Sequence, residues 1–143
     1  MKKTVRQLSI SLPNKPGMLS KISEIMGHNG INLIGLYVKT RGDEGILSFV
    51  ANDVDRAASV LQVAGYEVHE DQVLACETPH HPGGLNAILK PLKEAGINVE
   101  YLYSYLGSGD HAILLLGVDK LQEGIDVLEK NWIRLYGSEL YSM

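Results

Sequence analysis

The sequence predicts an α+β protein made of two βαββαβ units in tandem, and an internal repeat is the first observation behind this prediction. Residues 13–19, Pro-Asn-Lys-Pro-Gly-Met-Leu, match residues 79–85, Pro-His-His-Pro-Gly-Gly-Leu, at a separation of 66 residues. The Gly-Ile-Asn triplet at 30–32 has its counterpart at 96–98 in the same register. Self-similarity at a fixed period indicates a duplicated structural unit. Apolar periodicity within each copy then gives the order of its strands and helices.

The first copy contains every element of such a unit. Residues 5–12 predict a half-buried strand, because the apolar side chains of Leu8, Ile10 and Leu12 alternate with polar ones. A Pro-Gly turn follows, and helical spacing then predicts a helix that buries Leu19, Ile22, Ile25 and Met26. The remaining elements are two strands around a hairpin turn, a helix with Asp53 as its N-cap, and a last strand, over residues 31–40, 46–51, 53–61 and 66–70.

The second copy repeats this order, with strands and helices expected over 73–78, 85–95, 97–106, 112–117, 121–130 and 133–136. Pro91 lies inside its first helix, so we expect a kink or a later start there. The ungapped register pairs Asp53 with Asp119, and it places Cys76 at the core position of Ile10. A buried and unreactive thiol is therefore expected.

These elements define two domains, residues 1–71 and 72–143, each a ferredoxin-like sandwich with both helices on one face of an antiparallel sheet. The last strand of the first domain ends near Glu70, and the first strand of the second begins near Val73. A few residues, at roughly 3.3 Å each, cannot link distant sheet edges. We therefore expect the two sheets to be joined as a pseudo-dimer, through a shared strand or a strand exchange.

Composition excludes several classes of function. The chain has 13 Lys and Arg against 17 Asp and Glu, a formal charge of −4, and no long basic run, so no nucleic-acid partner is expected. A single cysteine excludes a disulfide framework, a Cys₄ zinc site and an iron–sulfur cluster. No apolar run approaches about 18 residues and no secretory signal begins the chain, which predicts a cytoplasmic protein without a membrane contact. No metal, cofactor or catalytic residue is expected, because no triad, paired carboxylates or phosphate loop is present.

The loop between the first strand and the first helix is the feature that could carry function in each copy. Gly17 and Gly83 lack side chains, so a ligand can approach the backbone, and a helix N-terminus offers unpaired N–H groups to a carboxylate or phosphate. Asn32 and Asn98 each begin the next strand with a side chain that both donates and accepts hydrogen bonds. The alternative is that both features are only turn chemistry, duplicated together with the fold.

The two motifs together resemble the ACT domain family. Its pattern, Asn-x-Pro-Gly-x-Leu followed by Gly-Ile-Asn, is matched by residues 14–19 with 30–33, and less fully by 81–85 with 96–99. The resemblance extends over nearly the whole chain and is closest to small stand-alone proteins with two such domains and no catalytic domain. It implies a non-catalytic regulatory module that binds a free amino acid at the interface of paired domains.

The resemblance also implies ligand residues. The first site would use Asn14 and Gly17 of the first loop together with Asn98, and Met18 and Leu19 would line the pocket for the ligand's side chain. The second would use His80, Gly83 and Asn32, with Gly84 and Leu85 alongside. His80 stands where the family often has Asn, and Gly84 where a larger residue is common, so the two sites need not be equivalent. A metal site at the adjacent histidines is not expected, because no further ligand residue accompanies them.

Three functions are consistent with these observations. The first is an amino-acid sensor that relays binding to a regulated enzyme or regulator in trans, or to its own oligomeric state. The second is an assembly module with vestigial pockets, and the third is a small ferredoxin-like enzyme. A stripe formed by Tyr101, Tyr103 and Tyr105 on one sheet face predicts a contact between domains or between subunits, and with the exposed sheet edges it favours a homodimer.

Overall fold

The computed structural model describes residues 3–107 and 112–143, and it confirms an α+β fold of two βαββαβ repeats. A 3₁₀ helix over Ser138–Ser142 follows the last strand and buries Leu140. The strands and helices, in chain order, are β1 Val5–Pro13, α1 Met18–His28, β2 Leu33–Arg41, β3 Glu44–Ala51, α2 Val54–Val63, β4 His69–Glu77, α3 Asn86–Glu94, β5 Val99–Ser104, β6 Ile113–Val118, α4 Leu121–Lys130 and β7 Leu135–Tyr136.

The chain forms two compact units, which we call the first unit and the second unit. The first unit is Arg6–Asp71, and the second is Gln72–Met143 together with the N-terminal residues up to Val5. The division falls between Asp71 and Gln72, two consecutive residues inside β4. No linker therefore separates the repeats along the chain.

The sheet of the first unit has the order β2-β3-β1, with the first residues of β4 beside β1. Its β1–β3 and β2–β3 pairs are antiparallel, and Leu8 lies opposite Phe49 while Ile10 lies opposite Leu47. As the alternation in the sequence predicts, the apolar side chains of β1 are buried, together with Ile22 and Met26 of α1. This packing leaves the start of α1 at the surface, next to the loop that follows β1.

The second unit repeats this architecture in the order β5-β6-β4-β7. Its core packs the strand residues Leu74, Cys76 and Leu116 against α3 and α4. The thiol of Cys76 is fully buried and lies 3.8 Å from the carbonyl oxygen of Leu114. Burial raises the pKa of this thiol to about 12, because desolvation disfavours the thiolate. The expected buried, un-ionised cysteine is confirmed.

The predicted pairing of Asp53 with Asp119 is wrong, because the second repeat has one residue more between its two hairpin strands. Leu36 faces Phe49 in the first unit, whereas Leu102 faces Leu116 in the second, so the register changes from 66 to 67 residues across the hairpin. Asp53 accepts a hydrogen bond from the N–H of Arg56 and caps α2, as predicted. Lys120 holds the equivalent place before α4.

Pro91 accounts for a difference between the first helices of the two repeats. α1 begins at Met18, whose equivalent at a separation of 66 residues is Gly84, but α3 begins two residues later at Asn86. Proline has no N–H and its ring conflicts with the carbonyl of the preceding turn. The later start that the sequence predicts is therefore what the structure has.

Trp132 has a backbone conformation that bulky residues rarely adopt. It follows α4 with φ of 62°, and its equivalent after α2 is Gly65 with φ of 96°. Both helices end in the same pattern, in which this residue and the next donate back to the last turn: Gly65 to Gln62 and Trp132 to Glu129. The left-handed region is unfavourable for residues with a Cβ, and the Trp132 side chain is 94% exposed, so packing does not offset the strain.

We predict that Trp132→Gly stabilises the protein by up to about 1 kcal/mol, because glycine adopts this conformation without the steric cost. Urea denaturation followed by circular dichroism measures the change. Trp132→Ala, which removes the ring and keeps the strain, is the control and should give no such gain. An unchanged or lower midpoint for Trp132→Gly would contradict the prediction.

A three-residue ionic cluster ties β1, α2 and β4 together in the first unit. The Arg6 guanidinium donates to Asp55 Oδ1 at 2.8 Å and to both carboxylate oxygens of Glu70, at 3.0 and 2.9 Å. These hydrogen bonds hold the pKa of the Glu70 carboxyl, and that of Asp55, below their ordinary values. The cluster is partly exposed, so its contribution to stability is small.

We predict that Arg6→Gln lowers the melting temperature by at most about 4 °C at neutral pH. The folded-state pKa values of Glu70 and Asp55 are depressed, so the stabilisation is complete above their ordinary values of 4.5 and 3.8. It is lost as the pH falls through the lowered values, and the difference from wild type should vanish there. Arg56→Gln, on the same helix, is the control. A difference that persists unchanged in acid would contradict the role of the two carboxylates.

Candidate functional site

The loop before α1 ends in a glycine that sets the start of the helix. Gly17 has φ of 89° and ψ of −9°, and it precedes α1 without any side-chain cap. Lys21 is the first residue of α1 whose N–H reaches a helical carbonyl, that of Gly17, at 3.0 Å. The N–H groups of Met18, Leu19 and Ser20 lie before this ladder, and the described part of the chain offers them no well-aligned backbone acceptor. The first turn of α1 therefore presents donors to solvent.

Asn14 holds this loop against the turn between β2 and β3. Its side-chain Nδ2 donates to the carbonyl of Gly42 at 2.9 Å, and its backbone N–H donates to the carbonyl of Asp43 at 2.7 Å. Because the amide nitrogen is used within the unit, a ligand contact from Asn14 would use the acceptor Oδ1. An acceptor is the group that an ammonium requires.

An apolar cavity of about 590 Å³ runs beside α1 in the first unit. Two of the predicted site residues, Leu19 and Asn32, both line it, whereas Asn14, Gly17 and Met18 do not. Leu19 is 47% exposed, and Asn32 is exposed at the start of β2. The other lining residues are Ser20, Ile22, Ser23, Met26, Gly27, Ile31, Leu33, Leu36 and Leu47. The structure thus joins the first turn of α1 to a largely apolar surface.

The equivalent loop of the second unit uses its N–H groups internally. Gly83 also has a positive φ, 79°, but the chain then turns tightly before α3 begins. The N–H groups of Gly84, Asn86 and Ala87 donate to the carbonyls of His81, Gly83 and Gly84, at 2.9, 3.2 and 3.0 Å. A carboxylate at this position would compete with these bonds.

Gly84 is required by the same turn. A Cβ on Gly84 would overlap the carbonyl oxygen of Pro79, because the loop folds back onto it. The departure of this residue from the family pattern is therefore a steric requirement of a differently folded loop. His80 and Leu85 are exposed, and His81 pairs its Nδ1 with the carbonyl of Pro82 at 3.0 Å. Within residues 3–107 and 112–143, no group of three potential metal ligands forms around these histidines.

Asn32 and Asn98 have matching backbone contacts in their own units. The N–H of Asn32 donates to Asn52 Oδ1, and the N–H of Asn98 donates to Asp119 Oδ1, each at 2.9 Å. The carbonyls of the two asparagines accept bonds in return from Asn52 and Asp119. Both asparagine residues are exposed. Sequence reasoning missed these clasps, because the one-residue change of register hides the equivalence of Asn52 and Asp119.

Two tyrosines of the predicted stripe have contacts within the second unit. The ring of Tyr101 lies where a Cβ of Gly117 would be, and Tyr105 donates its hydroxyl to the carbonyl of Met143 at 3.1 Å. Tyr103 is 7% exposed. The stripe is thus partly explained by packing inside the unit. The glycine opposite Tyr101 was the signal in the sequence that could have indicated this.

Comparison with known proteins agrees with this architecture. The family model for an ACT domain pair matches residues 3–139. The chain belongs to the ACT domain pair family. No sequence among the curated proteins matches this ACT domain pair. No helix in the described residues is long and apolar enough to cross a membrane.

Solved structures resemble this ACT domain pair over most of its length. A protein of Bacteroides thetaiotaomicron is 30% identical, covers 99% of this chain with 98% of its own, and superposes with a TM-score of 0.90. The ligand-free regulatory subunit of aspartate kinase from Thermus thermophilus is 11% identical, with coverages of 89% and 92% and a TM-score of 0.64. The corresponding subunit from Thermus flavus is 14% identical, with the same coverages and a TM-score of 0.59. The two kinase subunits share the fold.

Proposed function

We propose that this ACT domain pair, with repeats at 1–71 and 72–143, is a non-catalytic regulatory protein that binds a free amino acid at the loop before α1. The ligand carboxylate would accept from the N–H groups of Leu19 and Ser20. Its ammonium would donate to Asn14 Oδ1, and its side chain would lie on the apolar surface that begins at Leu19. The family pattern assigns Asn98 to the same ligand.

The observation that carries this proposal is the contrast between the two loops. The first turn of α1 offers N–H donors, and the helix dipole favours an anion there. In the second loop the N–H groups of Gly84, Asn86 and Ala87 already have acceptors. A single amino-acid site, at the first loop, is therefore the function that the geometry supports best. The second set, His80, Gly83 and Asn32, is not expected to bind with comparable affinity.

The regulatory half of the proposal is supported by fold alone. Two structures that share the architecture are regulatory subunits of aspartate kinase. A ligand can shift a conformational or oligomeric equilibrium only through a difference in its affinity for the two states. We propose that amino-acid binding shifts such an equilibrium, either in a homodimer of this chain or in a complex with a regulated partner.

A thermal-shift screen against the twenty amino acids tests ligand binding directly. At a ligand concentration of 100 times Kd, binding adds roughly 2.7 kcal/mol to the free energy of unfolding. This should raise the melting temperature by several degrees, at roughly 2–4 °C per kcal/mol for a chain of this size. We expect Asn98→Ala to abolish the shift, while Asn32→Ala, its matched control, retains it.

The absence of any shift with any amino acid at millimolar concentration would contradict the proposal and leave an assembly module as the better explanation. A shift that Asn32→Ala abolishes and Asn98→Ala retains would place the site at the second loop instead. Turnover of any amino acid would contradict the non-catalytic role.

A further inference from the structure

A second cavity, of about 500 Å³, lies in the second unit, away from both loops. It opens between α4 and the strand residues next to the N-terminus. Its lining is polar at the sides, with Lys3, Thr4, Gln72, Gln122 and Glu129, and apolar where Leu121 and Ile125 face it. Pockets of a few hundred Å³ that combine apolar surface with a few polar groups are the usual sites for small ligands.

The first unit shows how the same place is filled when no cavity is required. Gln72 is the equivalent of Arg6, at a separation of 66 residues, and Gln122 is the equivalent of Asp55, at the 67 residues that apply after the hairpin. In the first unit, Arg6 spans from Asp55 to Glu70 and occupies this position. Two neutral amides replace that ion pair in the second unit. The cavity is therefore a feature by which the second repeat differs from the first.

The amides in this cavity have defined orientations. Thr4 donates its hydroxyl to Gln72 Oε1 at 2.7 Å, which leaves the Gln72 amide nitrogen as a donor. Gln122 donates its amide nitrogen to Asp126 Oδ1 at 3.0 Å, which leaves its Oε1 as an acceptor. One side of the cavity thus combines an ammonium with an amide donor, and the other a carboxylate with an amide acceptor.

The two charged residues of the cavity do not neutralise each other. Among the described residues, Lys3 and Glu129 are not within 4.0 Å of each other or of another ion-pair partner. The nearest carboxylate that responds to Lys3 is Glu139. Its pKa is lowered mainly by hydrogen bonds from the backbone N–H groups of Gly137 and Glu139 itself, and less by Lys3. The Lys3 ammonium thus remains available to a ligand.

We propose that this cavity binds a second ligand, a small zwitterion with an aliphatic body. Its carboxylate would lie toward Lys3 and Gln72, its ammonium toward Glu129 and Gln122, and its aliphatic part on Leu121 and Ile125. A free aliphatic amino acid and a short aliphatic peptide share this chemistry. The site is distinct from the loop before α1 and does not depend on the function proposed for that loop.

The test uses the full chain, isothermal titration calorimetry and two probes, L-leucine and L-leucyl-L-leucine. Gln72→Arg combined with Gln122→Asp introduces into the second unit the residue pair that fills this place in the first. We expect this double variant to fold and to bind the probe at least tenfold more weakly than wild type. N-acetyl-L-leucine and L-leucinamide, which each lack one charge, should also bind at least tenfold more weakly.

The matched control is Arg6→Gln with Asp55→Gln, which changes the same pair in the first unit and should leave probe affinity unchanged. Loss in the double variant of one probe alone identifies whether the amino acid or the peptide is the ligand. Binding that survives the double variant and is lost in Asn98→Ala would belong to the loop site and would contradict this inference. The absence of binding of either probe to wild type at millimolar concentration would overturn it as well.

Discussion

The first turn of a helix has backbone N–H groups that no helical carbonyl can accept from, and how each repeat satisfies them determines the rest of the site. In the first unit, the left-handed Gly17 starts α1 abruptly, so Leu19 and Ser20 present their N–H groups outward. In the second unit, a tight turn returns the N–H groups of Asn86 and Ala87 to nearby carbonyls. One duplicated loop therefore yields one donor-rich surface and one closed turn.

The same divergence occurs elsewhere in the duplicated fold. Gly65 has the left-handed conformation after α2 without strain, whereas Trp132 has it after α4 with a bulky side chain. The Arg6–Asp55 pair becomes Gln72 and Gln122, and the place that the ion pair fills becomes a cavity. Each substitution keeps the backbone and changes the surface. Gene duplication has thus preserved the core of an ACT domain pair while the two repeats acquired different exteriors.

Much of the fold could be predicted from the sequence, because core periodicity and caps are local signals. The alternation around Leu8 and the N-cap at Asp53 both placed elements correctly. The pairing of Asp119 could not be predicted, because one additional hairpin residue changes the register without a local signal. The steric role of Gly84 and the cavity beside Gln72 also required the structure. Both depend on residues that are brought together only by tertiary folding, such as Pro79 over Gly84.

The candidate site was only partly visible in the sequence. The Pro-Gly loop and the two asparagines stood out as motifs, yet the difference between the loops is a matter of hydrogen-bond partners. Gly83 and Gly17 both have positive φ, and only the residues that follow decide whether the N–H groups are used. A motif alone therefore predicts two equivalent sites, whereas the structure favours one.

The most direct measurement is an amide NMR titration of the ¹⁵N-labelled full chain with the amino acid that stabilises it most. The account predicts that the N–H signals of Leu19 and Ser20 shift on binding, because their protons gain a carboxylate acceptor. The signals of Asn86 and Ala87 should stay unchanged, since their protons already have carbonyl acceptors. Shifts at Asn86 and Ala87 without shifts at Leu19 and Ser20 would contradict the account.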